Sequence, residues 1–143
     1  MPMDNFVLDS KLDSDCITIA EWDDCLLLLM NNALVPWFIL VPKTRATELF
    51  QLDHEQQQLL QQHIDALSQF ILGHFDVTKI NVAAIGNVVS QLHVHVIGRS
   101  PEDYCWPGVV WGRSESEPYQ PDAMIRICAA ARKKLNLTSD TYD

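Results

Sequence analysis

Between Gln91 and Arg99 the chain reads Gln-Leu-His-Val-His-Val-Ile-Gly-Arg, alternating polar and apolar residues over at least six positions. A period of two is the pattern of a half-buried β-strand. Leu92, Val94 and Val96 are then expected to face a core, with Gln91, His93 and His95 in a row on the opposite face. Side chains two residues apart on a strand are separated by about 7 Å. Two imidazoles held on one rigid face, with an amide beside them, suit proton and group transfer.

The remainder of the chain narrows what this row can serve. A length of 143 residues fits one domain with a real hydrophobic core, and 48% hydrophobic with 20% charged residues is ordinary for a globular protein. A net charge of -9 argues against nonspecific nucleic-acid binding, which needs a basic footprint. It also means that a phosphate substrate must be held by local groups. Cys16, Cys25, Cys105 and Cys128 form no C-x-x-C pair and no zinc spacing, and read as reduced, cytoplasmic thiols. The start, Met1-Pro2-Met3-Asp4-Asn5, lacks the features of a signal peptide. The apolar run from Cys25 to Met30 is too short to cross a bilayer.

Short strands are expected around Phe6–Leu8 and Ile17–Ala20. Leu26–Met30 and Trp37–Val41 read as two more, joined through Asn31-Asn32-Ala33 as a hairpin. Asp53 with Gln56 forms a variant capping box ahead of a helix whose Leu60, Ile64, Leu67 and Ile71 recur at helical spacing, with Gly73 as its stop. His54, His63 and His74 lie on or beside this helix and read as surface residues. Ile80–Ile85 reads as a strand ending at Gly86-Asn87, antiparallel to the histidine strand that follows. Pro121 sits at a helix start, and Ile125, Cys128, Ala129 and Leu135 give an amphipathic C-terminal helix over about 118–137. The order predicts an α+β domain: an antiparallel sheet of about five strands, one main helix and a C-terminal helix.

Three chemistries fit the histidine row. A metal site would need a third ligand shortly after the pair. Ile97, Gly98, Arg99 and Ser100 fill that stretch, and Glu102 and Asp103 lie beyond a repelling arginine, so no metal is expected. Nucleophilic catalysis at phosphorus would need one imidazole with a free lone pair and a second to manage protons, which His93 and His95 could provide. The third reading is structural, with both rings bonding an overlying loop.

The segment Gln91-Leu92-His93-Val94-His95-Val96-Ile97 resembles the signature of the histidine triad (HIT) superfamily. The resemblance runs over about residues 5–112. It takes in Leu28 to Pro42, Gly86-Asn87, Trp106-Pro107-Gly108 and Val110-Trp111-Gly112, a combination similar to a bacterial subgroup. It implies one HIT-like domain over 1–143 that acts on the α-phosphate of a nucleotide, of the nucleoside phosphoramidate or dinucleoside polyphosphate type. It also implies a homodimer that extends the sheet, and no cofactor. The middle histidine of the signature becomes transiently nucleotidylated, a role that falls on His93. The last, assisting leaving-group protonation and phosphate contacts, is His95. Asn31 matches a ribose-contacting position, and Gly86 with Asn87 a phosphate-binding one. The first signature position is Gln91, which can hydrogen-bond the phosphate but cannot titrate near neutral pH. A second family histidine corresponds to Trp37 or Phe38. These two, with Trp106 and Trp111, are large groups suited to closing the pocket or lining a dimer contact. With Gln91 and Trp37 or Phe38 in place of histidines, a nucleotide-binding module with little turnover, or an interaction protein on the same fold, is the alternative to an enzyme.

Overall fold

The computed structural model describes residues 5–138, in the order α1 (Ser10–Asp15), β1 (Cys16–Trp22), β2 (Cys25–Met30), β3 (Trp37–Pro42), a 3-10 turn (Leu49–Gln51), α2 (His54–His74), β4 (Lys79–Ala83), β5 (Val94–Arg99) and α3 (Pro121–Lys134). The strands form one five-stranded sheet in the order β1-β2-β3-β5-β4, and every neighbouring pair is antiparallel. With helices segregated from the strands along the chain, this is the expected α+β architecture. The Phe6–Leu8 segment is not a strand. It lies against the sheet as irregular chain leading into α1.

Local chemistry accounts for the turns. Trp22 pairs with Cys25 across the two-residue turn Asp23-Asp24, and Asp23 takes φ +55°, which aspartate tolerates better than most residues. Pairing on β1 shifts between Thr18 and Ala20, a bulge that adds twist at this edge. The Asp53 carboxylate accepts from the Gln56 N–H, and the Gln56 amide oxygen accepts from the Asp53 N–H, so both ends of the capping box close. α2 runs through Gly73 to His74 and is capped by Phe75. α3 begins with Pro121 as its first residue and ends at Lys134, inside the expected span.

The sheet has two packed faces. On one, Leu27, Leu29, Phe38, Leu40, Val94 and Val96 meet Leu67, Phe70 and Ile71 of α2 and Ile127, Cys128 and Ala131 of α3. Gly98 allows the close approach on this side. A Cβ there would come within 2.7 Å of the Ile71 side chain and 2.9 Å of those of Pro36 and Val77. On the other face Leu28, Ile39 and Ile97 are covered by Phe6, Leu8 and Leu12 and by Cys105, Val110 and Trp111. The half-buried reading of the histidine strand therefore needs correction. Every residue of β5 is buried, because the N-terminal segment and the loop that follows β5 close over its second face.

His63 also departs from expectation. It is buried, its Nε2 lies 2.8 Å from the Asp23 carboxylate, and its ring packs 4.2 Å from that of Trp22. The surface reading fails because the β1–β2 turn folds onto this point of α2. His54 and His74 are exposed as expected, with His74 stacked on Phe70.

Candidate active site

Antiparallel register sets Leu28, Ile39, His95 and Ala83 side by side across four strands. His93 precedes β5 by one residue and stands on the same side as His95. The ring centroids are 5.0 Å apart at 69°, closer than the backbone repeat because the rings lean edge to face. Both are nearly buried, at 5% and 6% exposure.

Each ring has one nitrogen fixed by a partner of known polarity. His93 Nδ1 lies 2.7 Å from the Gln91 carbonyl oxygen. A carbonyl only accepts, so Nδ1 carries the proton and Nε2 keeps its lone pair. His95 Nδ1 lies 2.9 Å from the indole nitrogen of Trp37. An indole only donates, so this nitrogen is unprotonated and neutral His95 carries its hydrogen on Nε2. The two rings thus hold complementary tautomers, one with a free lone pair and the other with an N–H. Trp111 packs edge-on to His95 at 5.5 Å and helps to confine it.

Burial, and after it the neighbouring His93, push the pKa of His95 down to about 4. The sign of the effect on stability follows. As pH falls below 6.5 the unfolded chain takes up a proton that the folded chain refuses until about 4. Stability is therefore expected to drop across that window, by up to about 3 kcal/mol from this group. Urea denaturation at pH 7 and pH 4.5 tests it, and His95→Gln should flatten that part of the profile. Trp37→Phe deletes the donor, so the ¹⁵N resonance of His95 Nδ1 should lose its hydrogen-bonded shift. An unchanged resonance would remove Trp37 from this role.

His93 lines a narrow crevice of about 10 Å³ with Thr47, Glu48, Gly86 and Gln91, while His95 sits beside it, outside the crevice lining. Gly86 is in the β4–β5 loop, and Asn87 is exposed next to it. Gln91 and Asn31 are engaged elsewhere. The Gln91 side chain donates to the Val7 carbonyl at 2.9 Å and accepts from the Asp9 N–H at 2.8 Å. It borders the crevice, but its amide holds the N-terminal segment, because strand pairing begins only at Val94. Asn31, at the end of β2, accepts from the Tyr119 N–H at 2.9 Å and so anchors the segment before α3. Phe38 is in the α2-side core, away from the histidines.

No thiol competes as nucleophile among Cys16, Cys25 and Cys128. Burial raises Cys16 to about 12 and pushes Cys25 and Cys128 upward as well. Among the described residues no group of three or more His, Cys, Asp or Glu side chains could hold a metal ion. The Trp37 contact is the functional feature that sequence reasoning missed. Its signal was present, since the resemblance puts a second family histidine at Trp37 or Phe38, and an indole supplies the same kind of N–H.

Residues 11–102 match the family model of the HIT domain. The chain belongs to the HIT family. This HIT protein is 36% identical to a histidine triad protein of Sinorhizobium meliloti 1021, over 92% of this chain and 98% of that one, with a TM-score of 0.89. It is 35% identical to a histidine triad protein of Bradyrhizobium japonicum, covering 90% and 97% of the two chains, with a TM-score of 0.87. A histidine triad protein of Marinobacter aquaeolei VT8 is 39% identical over 92% of this HIT protein and 96% of its own length, with a TM-score of 0.87. No curated protein matches its sequence. The family is one of nucleotide-binding and hydrolase-type proteins.

Proposed function

We propose that this HIT protein hydrolyses a nucleotide conjugate at its α-phosphorus through a nucleotidyl-His93 intermediate. The observation that carries this is the hydrogen bond from His93 Nδ1 to the Gln91 carbonyl, which leaves the Nε2 lone pair free at the crevice that His93 lines. Nε2 forms a bond to phosphorus as the bond to the leaving group breaks and its electron pair departs with that group. The positive charge on the modified ring is stabilised by the Gln91 carbonyl, which still accepts from Nδ1. Water then attacks phosphorus, the Nε2 pair returns to His93, and one water proton goes to solvent.

His95 serves this sequence as a neutral N–H donor. With Nδ1 occupied by Trp37, its Nε2–H stabilises negative charge on the phosphoryl oxygens as the transition state forms. Delivering that proton outright would leave an imidazolate, so the leaving group takes any proton it needs from solvent. The role follows the phosphate contact implied for this position more closely than leaving-group protonation.

The same reading includes a homodimer and a cytoplasmic setting. β4 is an outer strand with Val82 at 47% exposure, an edge to which a second copy can add its own strand. All four cysteines are free, which suits a reducing compartment. Among the described residues no helix is long and apolar enough to cross a membrane. Phosphoramidates of AMP and GMP, dinucleoside polyphosphates and nucleotide sugars, read by mass spectrometry, test the activity. Release of a nucleoside monophosphate is expected, and nucleotide affinity without any turnover would replace the enzyme with a binding module.

A further inference from the structure

His95 is held by two tryptophans that reach it from distant parts of the chain. Trp37 is the first residue of β3 and donates to His95 Nδ1 at 2.9 Å. Trp111 packs edge-on to both rings, 5.5 Å from His95 and 6.3 Å from Trp37. The Trp111 indole N–H is buried and has no hydrogen-bond partner among the described residues, a costly arrangement for a donor. No polar contact of its own therefore fixes that side chain. Its place against His95 comes from packing and from the backbone on either side of it.

Residues 113–120 provide one such hold. The chain turns sharply after Trp111, with Gly112 at φ +85° and the Arg113 N–H donating to the Val110 carbonyl at 3.4 Å. It then crosses the β2–β3 turn as an irregular strap that leads into α3. Three hydrogen bonds fasten it there. The Ala33 N–H donates to the Glu117 carbonyl at 2.6 Å, the Glu117 N–H to Asn32 Oδ1 at 3.3 Å, and the Tyr119 N–H to Asn31 Oδ1 at 2.9 Å. Asn32 is only 6% exposed, and its Oδ1 also accepts from the Leu34 N–H at 3.1 Å, shaping the turn that leads into β3. One oxygen thus belongs to both segments, the turn that carries Trp37 and the strap that follows Trp111.

We infer that Asn32 is a positioning residue for His95, which keeps the two tryptophans in place by clasping the β2–β3 turn to the 113–120 strap. That role rests on the hydrolytic reading and adds to it the part of the chain that keeps His95 a neutral Nε2–H donor. Asn31, which is exposed, supplies the outer bond of the same clasp. When the clasp loosens, the turn and the strap move apart and Trp37 spends less time bonded to His95 Nδ1. The imidazole can then shift its proton from Nε2 to Nδ1, and the donor that faces the phosphoryl oxygens is lost for that fraction of the time.

Histidine ¹⁵N spectra separate positioning from folding. In Asn32→Ala the His95 Nδ1 resonance should move from its wild-type place toward that of Trp37→Phe. Asn32→Asp keeps the acceptor oxygen and should restore the wild-type resonance. Asn31→Ala should give a smaller displacement in the same direction, and its exposed position keeps the protein folded for measurement if Asn32→Ala is unstable. With substrate, Asn32→Ala should lower kcat about tenfold and leave KM nearly unchanged, because a misdirected donor costs the transition state more than the ground state. A His95 resonance that stays in its wild-type place in both alanine variants would overturn the clasp while the His93 reading stands, as would a displaced resonance with kcat unchanged. A wild type that turns over none of the substrate panel would overturn the hydrolytic reading, and the resonance would still decide the clasp.

Discussion

His93→Ala is expected to lower turnover by several orders of magnitude and to abolish any covalent adduct. No neighbouring group can take its place. His95 presents an N–H to the same region rather than a lone pair, and its other nitrogen is held by Trp37. A brief exposure to a reactive substrate, denaturation without acid and peptide mass spectrometry should find a nucleotidyl mass on the wild-type peptide containing His93. His95→Ala should keep the adduct while slowing its formation, since it removes stabilisation and not the nucleophile. The His93 ring is nearly buried and bonds the Gln91 carbonyl, so its loss also costs about 1–2 kcal/mol of stability. A thermal melt separates that modest loss from the collapse of turnover. Undiminished turnover in a folded His93→Ala protein would end the covalent mechanism.

Much of this arrangement was legible because it is local. The period of two from Gln91 to Val96 placed His93 and His95 on one face, and register confirms it for His95 beside Ile39 and Ala83. The capping box at Asp53 and Gln56 was readable for the same reason, since both partners lie within one turn. The β2–β3 hairpin followed from two apolar runs around a polar turn.

What escaped is non-local. Nothing near Gln91 in the chain says that its amide meets Val7 and Asp9, more than eighty residues away. That contact turns an apparent lost histidine into a fastener. An imidazole, with its two nitrogens aimed in different directions, would not reproduce the paired donor and acceptor of an amide. His63 was misplaced because Asp23, its partner, lies on a hairpin forty residues earlier. The cover over the second face of the histidine strand is equally hidden in the sequence, because part of it comes from Phe6, Leu8 and Leu12, some eighty residues before the strand. α1, at six residues, is too short to show a period.

Arg99 carries the largest stability effect expected outside the core. It ends β5 at 1% exposure and donates to the Asp103 carboxylate at 2.7 and 3.1 Å, to the Asn81 side chain at 3.0 Å and to the Gly108 carbonyl at 2.8 Å. Burial alone would raise the pKa of Asp103. The Arg99 guanidinium and the N–H groups of Ser100 and Cys105 outweigh it and hold the carboxyl below its usual range. Asp103→Ala should therefore cost about 3–5 kcal/mol, because it strands a buried guanidinium instead of merely deleting an attraction. Arg99→Met combined with Asp103→Ala should cost less than the two singles added together. The pH dependence has the opposite origin to that of His95 but the same sign. The contribution of Asp103 is complete above the unfolded carboxyl value of about 3.9 and fades as pH falls through the lower native one. Urea denaturation at pH 7 gives the cost directly, and a loss below about 1 kcal/mol would show that the pair is dispensable. The site should register the change as well. Arg99 holds the turn at Gly108, and the segment after that turn delivers Trp111 to the edge of His95. Asp103→Ala is thus expected to slow turnover at temperatures where the fold survives, with the His93 adduct still forming.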